Sequence, residues 1–342
     1  MTVITATWPL WIALLALVPA AAAIAYLGTG LANVADKLAD RTGIGEAAAG
    51  AILLGATTSI AGLIVSIVAA SSDEPSLAVS NSLGGIAVQT SFIAWIDLVH
   101  RGVNIEHAAA SLTNIFTAFL LMLLLGLILI GFSTPEVAIF GVHPVSLLVA
   151  GVYGYGMVLS QRVTNEPMWR AVSTRSTVNE EPDPSAQGAS LPRLLGRFAL
   201  LGVGVALAGF VVSRSGLSLM AETGLGGTVV GTLVTSVSTS IPELVTAYAA
   251  VRARSMTLAV GGIIGGNTFD VLFISASDAF YRQGSIYGAL TEVDVFTLGW
   301  TILLTAILGA GLISREQRGI GYEGVAILAV YLAGVVGVTL LG

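Results

Sequence analysis

Glu243 and Asp270 are the acidic residues whose surroundings could do chemistry. Glu243 lies in Thr239-Ser240-Ile241-Pro242-Glu243-Leu244, inside a long apolar run. A proline there removes one backbone N–H and clashes with the preceding turn, so a helix through it must bend or break. The carbonyls freed upstream join the hydroxyls of Thr235, Ser236, Ser238, Thr239 and Ser240 in an oxygen-rich patch that suits a hard cation. Asp270 closes Gly265-Gly266-Asn267-Thr268-Phe269-Asp270. Asn267 precedes it by three residues, which puts amide and carboxylate on one helix face. A charged side chain costs about 3 kcal/mol or more in the middle of a bilayer, and such residues usually mark function. Two carboxylates sharing a low-dielectric site cannot both stay ionised when it is empty. A divalent cation, two monovalent cations or protons would each neutralise them, and competing ions that satisfy one site in turn are the basis of exchange.

The elements that hold these residues follow from composition. Of 342 residues, 55% are hydrophobic and only 10% charged, and the mean hydropathy is +0.90. Soluble domains carry about 25% charged residues, so this chain cannot face water on all sides. That excludes a soluble enzyme, a nucleic-acid binder and a disordered chain. Zero cysteines exclude disulfides, thiolate metal sites and cysteine nucleophiles. Apolar runs of the roughly 20 residues that cross a bilayer predict spans at about 8–27, 46–70, 76–97, 108–131 and 135–160. Five more follow at about 198–220, 226–251, 256–279, 293–313 and 322–341. No Lys or Arg precedes the first run, which reads as a span rather than a signal peptide. The polar stretch 161–197, with five arginines and Glu180-Glu181-Pro182-Asp183-Pro184, is the linker between two sets of five. Basic residues favour the cytoplasmic side. With the linker cytoplasmic, Lys37, Arg41, Arg101, Arg252, Arg254, Arg315, Arg318 and the linker arginines share that side, and only Arg214 and Arg282 fall outside. Both termini are then outside, in a multi-pass protein of the cell membrane. Five spans per half is odd, so the halves enter the membrane from opposite sides.

The halves are also alike. A step of 181 residues aligns 43–97 with 224–278 without a gap, and 16 of the 55 pairs are identical. Thr58-Ser59-Ile60 meets Thr239-Ser240-Ile241, Leu77-Ala78-Val79 meets Leu258-Ala259-Val260, Gly84-Gly85 meets Gly265-Gly266, and Asp97 meets Asp278. The expected fold is therefore an all-α polytopic membrane protein of ten transmembrane helices, built as two inverted-topology five-helix repeats. The first repeat is 1–160 (signature region 43–97), the linker 161–197, and the second repeat 198–342 (signature region 224–278). Folds of this kind bind substrate near the midplane on interrupted helices.

Ser240-Ile241-Pro242-Glu243-Leu244, followed by Gly266-Asn267-Thr268-Phe269-Asp270, resembles the second signature repeat of the calcium/cation antiporter superfamily, which includes the sodium/calcium exchangers. In that family two such repeats supply the pore helices, and ions bind between them. The resemblance implies that Glu243 is the principal ion-binding carboxylate and that Asn267 and Asp270 complete the second-half contribution. The first repeat departs from the pattern. Ala61-Gly62 stands opposite Pro242-Glu243, Ile86 opposite Asn267, and Gln89 opposite Asp270. What it retains is neutral: Thr57, Thr58, Ser59, Ser66, Ser80, Asn81, Ser82 and Gln89. Asn81 fits the earlier Asn of the family's G-N-x-x-G, which the second repeat lacks at Gly262.

The expected ion ligands are Glu243 and Asp270, with Asn267, Ser240, Thr239, Asn81, Gln89, Thr58 and Ser59 as neutral partners. The expected function is secondary antiport of calcium against sodium or protons, spans one and six gating by family analogy. Sodium–proton exchange and a transport-inactive structural or sensing relative are the alternatives. No cofactor and no enzymatic activity are expected. Membrane lipid and small cations are the partners, nucleic acid is not, and association into a homo-oligomer stays open. Asp97 and Asp278 read as interfacial charges near span ends, His100 and His107 as solvated loop residues, and His143 as a helix-packing residue. Glu136 and Glu222 fall in outer loops.

Overall fold

A computed structural model describes residues 7–42, 55–100, 104–135, 137–139, 141–169, 190–314 and 319–342. The start of the second predicted span, most of the linker, Glu136, Arg101, Arg315 and Arg318 lie outside the described residues. Among those described the chain is helical, with one isolated bridge between Ile139 and Val142. The helices are α1 (Leu10–Thr42), α2 (Ile60–Ser71, preceded by a helical turn at 55–58), α3 (Pro75–His100), α4 (Ile105–Ala108), α5 (Leu112–Phe132) and α6 (Pro144–Asn165). The second half holds α7 (Leu191–Thr223), α8 (Gly227–Thr239), α9 (Ile241–Arg252), α10 (Met256–Phe280), α11 (Glu292–Gly311) and α12 (Tyr322–Leu341). Seven of these are long and apolar enough to cross a membrane, and α8 with α9 forms an eighth, bent by 46°. α6 has spanning length at 22 residues but is less apolar.

The 181-residue step runs far beyond the signature region. α1 and α7 are both 33 residues long, and their ends differ by that step at each terminus. At 1.5 Å per residue each is roughly 50 Å long, well over a membrane's apolar thickness. α1 thus continues past the predicted end of the first span, taking Lys37 and Arg41 into the helix. The cause is packing: Leu31, Val34 and Leu38 are buried against Leu194, Phe198 and Leu201 of α7. The fifth span also differs, starting at Pro144 rather than 135. His143 caps that helix by accepting from the Val145 amide at 3.2 Å, and the proline sits at the first turn, where its missing N–H is harmless.

Burial sorts the helices into layers. α3 and α10 are the centre, with 83% and 72% of their apolar stretches buried, whereas α1, α7 and α12 bury 17 to 22%. The outer three present Trp11, Leu15, Leu200, Leu207 and Leu332 outward, a surface suited to lipid tails. α1 and α7 lie along each other and also touch the two broken helices. Gly28 of α1 sits on Pro242, where an added Cβ would stand 2.7 Å from the ring, and Gly209 of α7 sits on Ala61, 2.8 Å from its carbonyl. Gly28 and Gly209 are one repeat step apart, and so are Pro242 and Ala61. Each peripheral helix thus rests on the break of the opposite half, the arrangement expected of an inverted repeat.

Candidate cation-binding site

Both halves break at the same repeat position. Ser240 interrupts the helix between α8 and α9 with φ −92° and ψ 4°, and Ser59 does so before α2 with φ −79° and ψ −1°. This bridge-region geometry ends regular helix without requiring glycine. The second break has Pro242 two residues on, as expected; the first has Ala61 and breaks regardless. α8 reaches its break through a π-helical turn at Gly231–Thr235, a feature that widens a helix and often accompanies function.

The broken helices cross α3 and α10 at near-backbone contact. A Cβ on Gly84 would come within 2.6 Å of Thr232 Cα, and one on Gly55 within 2.6 Å of the Gly266 nitrogen. Only glycine allows such approach, and it brings the polar faces of four segments together. Between them lies a small cavity lined by Ser59, Gly62, Asn81, Gly85, Gln89, Thr239, Ser240, Glu243, Asp270 and Phe273. Glu243 also lines a second crevice of about 330 Å³, which runs between α9 and α10 past Thr246, Ala250, Leu258 and Gly262, with Thr58 and Gly55 opposite. Glu243 therefore stands at the junction of an inner cavity and a path along α9.

The two carboxylates are held from the opposite half. Gln89 Nε2 donates to Asp270 Oδ2 at 2.8 Å and to Ser240 Oγ at 3.2 Å. Ser59 Oγ donates to Glu243 Oε1 at a long 3.5 Å. Ser82 Oγ donates to the Asp270 carbonyl at 2.6 Å. Thr58 and Thr239 donate to carbonyls of their own helices, and both residues line the two cavities. Glu243 and Asp270 are both buried, yet Glu243 Oε2, Asp270 Oδ1 and Gln89 Oε1 have no hydrogen-bond partner. An unsatisfied buried polar atom costs about 1–3 kcal/mol. Three orphaned oxygens around one small cavity can be relieved together by a cation, whose preferred ligands are carboxylate, amide and hydroxyl oxygens.

The structure brings eight of the nine expected ligands to these two cavities. Asn81 lines the inner one, but its polar atoms are committed: Nδ2 donates to Gly62 O and Ser66 Oγ, each at 3.0 Å, and Oδ1 accepts from Thr235 at 2.7 Å. It braces the first break against α8. Asn267 lines neither cavity; its Nδ2 donates to Thr90 Oγ1 at 3.0 Å, and its Oδ1 is unpartnered. Two functional positions escaped sequence reasoning. Thr90 holds Asn267, and since its repeat mate is Val271 no repeat signal marks it. Phe273 fills the space beside Gly62, where a Cβ would meet its ring at 2.8 Å. Of the weaker candidates, Asp97 and Asp278 stand at span ends but are buried rather than interfacial.

The chain resembles known proteins in sequence and in fold. A family profile described as sodium/calcium exchanger protein matches residues 12–160 and 193–340, both halves and most of the chain. The sodium/calcium exchanger MaX1 of Methanosarcina acetivorans is 29% identical over 111 residues, 32% of this chain and 30% of that protein. The inner membrane protein YrbG of Escherichia coli is 31% identical over 91 residues, 27% of this chain and 28% of the relative. The matched stretches thus span under a third of either relative. In fold, the chain resembles the H+/Ca2+ exchanger CAX with a TM-score of 0.69 at 16% identity, covering 95% of this chain and 82% of that one. It also resembles the sodium-calcium exchanger NCX_Mj with a TM-score of 0.64 at 14% identity, covering 96% and 99%. With both of its halves matched across 12–160 and 193–340, the chain belongs to the sodium/calcium exchanger protein family.

Proposed function

We propose that the protein is a secondary cation antiporter that moves calcium against sodium or protons by alternating access, and that it is not an enzyme. The observation carrying this reading is the set of orphaned oxygens of Glu243, Asp270 and Gln89 around one buried cavity, drawn from both halves of the chain. The cavity admits about one water-sized occupant, which fits a single dehydrated ion. The formal charge of −2 suits one calcium, or smaller charges taken in sequence. The likeness to the sodium/calcium exchanger MaX1, the H+/Ca2+ exchanger CAX and the sodium-calcium exchanger NCX_Mj supports calcium as one of the ions. On this reading Thr58, Ser59, Thr239 and Ser240 contribute neutral oxygens, and Asn81 and Asn267 hold the frame. The two repeats flank a cytoplasmic linker at 161–197, the termini lie outside, and the protein works in the cell membrane with lipid and small cations as its partners.

The test is radiotracer calcium uptake into proteoliposomes under an imposed sodium or pH gradient. Glu243→Gln is expected to lower uptake by about 100-fold, the loss of an interaction worth roughly 2.7 kcal/mol. Normal uptake by that variant would sink the site assignment. A second reading, a relative that binds cations without transporting them, draws on Phe273 filling the space beside Gly62. Cation-dependent stabilisation of the purified protein together with absent flux under both gradients would favour it.

A further inference from the structure

The same 181-residue step that relates the two cation-site helices also relates two buried acids at opposite ends of the molecule. Asp278 Oδ1 accepts from the Ile286 amide at 3.0 Å, and Asp97 Oδ1 accepts from the Ile105 amide at 3.1 Å, each eight residues on. Each acid thereby starts a short helical turn after a central helix, Ile286–Ala289 in one half and α4 in the other. Beyond that bond the two environments differ. Asp278 is surrounded by donors: the His143 amide at 2.6 Å and Ser146 Oγ at 2.8 Å reach its Oδ2, with the Tyr287 hydroxyl beside Ser146. Asp97 has Glu106 at the position equivalent to Tyr287. It also has Glu323, from the start of α12, where Asp278 has the start of α6.

Asp97, Glu106 and Glu323 are all buried, at 1%, 0% and 0% exposure. Four of their six carboxylate oxygens have no hydrogen-bond partner: Asp97 Oδ2, both oxygens of Glu106, and Glu323 Oε2. Glu323 Oε1 accepts from Asn104 Nδ2 at 2.6 Å. Gly311 makes room for the Glu323 side chain, since a Cβ there would lie 2.7 Å from Glu323 Cγ, and Gly321 lies directly against its carboxylate, which a side chain there would displace. An ionised carboxylate only accepts hydrogen bonds, whereas a protonated one can donate. Asp97 and Glu323 lie close enough for their charges to act on Glu106, and the four unpartnered oxygens lack one thing, a donor, which a bound proton supplies.

We propose that Asp97, Glu106 and Glu323 form a proton-binding site that ties the end of α3, α4 and the start of α12 together when protonated and loosens them when ionised. The site lies at the end of the bundle from which the linker leaves, because Thr113 at the start of α5 meets Thr164 at the end of α6 through a 2.9 Å hydroxyl contact. Burial pushes Glu106 up to about 8, and the neighbouring Asp97 and Glu323 charges add to that shift. The unfolded chain would release this proton near the ordinary 4.5, so its stabilising contribution is present at low pH and lost as pH rises through about 8. The remaining groups near the cluster are few. His100 ends α3, Tyr322 is exposed, and His107 Nδ1 lies 3.4 Å from the Ser314 carbonyl. Arg252 and Arg254, before α10, are exposed. α10 and α11 pack on α4 but carry their acids, Asp270, Asp278, Glu292 and Asp294, farther along. Arg101, Arg315, Glu316 and Arg318 flank the cluster in sequence, outside the described residues. A single metal ion fits less well: among the described residues no three acidic or histidine side chains are grouped closely enough to hold one. α3 also carries Gln89, eight residues or roughly 12 Å above Asp97, so the proton site and the cation site share one rigid element.

Thermal unfolding of the purified full-length protein in detergent tests this without any transport assay. Wild type is expected to melt roughly 5 °C lower at about pH 9 than at about pH 6. Glu106→Gln, which donates without titrating, should lose at least half of that drop, and adding Asp97→Asn should remove more of it. In a Glu243→Gln background the cluster variants should still remove their share of the drop, which separates this site from the cation site. An undiminished drop in both cluster variants would overturn the proposal. So would calcium raising the melting point at about pH 9 in Glu243→Gln but not in Glu106→Gln, because the cluster would then be a metal site. Should the cluster variants fail to fold, difference infrared spectra of a Glu243→Gln/Asp270→Asn protein decide. A protonated-carboxyl band that fades between about pH 7 and pH 9 supports the site, and its absence overturns it.

Discussion

At the two helix breaks the halves of this protein keep the same backbone and divide the chemistry. Ser59 and Ser240 interrupt their helices with nearly the same angles, and Gly84 and Gly55 each let a broken helix approach its central partner. Only the second break carries a carboxylate. The first offers Gly62 where Glu243 stands, and Phe273 of the opposite half occupies the space beside it. The cavity is therefore built by both repeats, but both of its acids come from one. Duplication fixed the shape, and charge was free to become unequal within it. The first half then acts mainly through donors: Gln89, at the position of Asp270, gives its amide hydrogen to Asp270 itself.

The largest effect should come from moving the charge. Exchanging Gly62→Glu with Glu243→Gly keeps the composition, yet calcium flux should stay about 100-fold below wild type, because Phe273 blocks the new side chain. Adding Phe273→Ala should recover part of that loss; full recovery without it would show the halves to be interchangeable. A smaller loss is expected from Gln89→Leu, which leaves Asp270 Oδ2 without its amide donor. Apparent cation affinity should change by about 10-fold, in line with 1–3 kcal/mol for an unpaired buried group. Equal affinities in a binding titration would reduce Gln89 to a spectator. The smallest effect belongs to Pro242→Ala. Since the first half breaks at Ser59 with alanine in that place, flux should remain within about threefold of wild type. A loss beyond tenfold would make the proline the cause of the second break, and the symmetry of the two breaks would be superficial.

The spans, the repeat, the second break and both deep acids were legible in the sequence, because each rests on a local rule: apolar length, a fixed step, a proline in an apolar run, a carboxylate at depth. α12 falls on its predicted bounds. What could not be read depended on contacts between distant segments. Asn81 had the composition of a ligand, but its atoms are taken by Gly62, Ser66 and Thr235. α1 outran its apolar run because α7 covers its second half. Glu106 stands beside two histidines in a short polar stretch, and its burial near Asp97 and Glu323 depends on contacts between distant segments. The first break left no mark in the sequence except its alignment with Ser240.

The contacts of Gly28 with Pro242 and of Gly209 with Ala61 carry a consequence for speed. A helix that must travel past another is slowed by every side chain it has to lift over, much as a ratchet is slowed by its teeth. Here the outer helices meet the breaks through surfaces with no teeth, one on each half. Under the proposed exchange, a methyl group at either glycine would act as a brake. It would raise the height of the barrier between the two facing states and lower turnover, while the ion waiting in the cavity would be held as tightly as before.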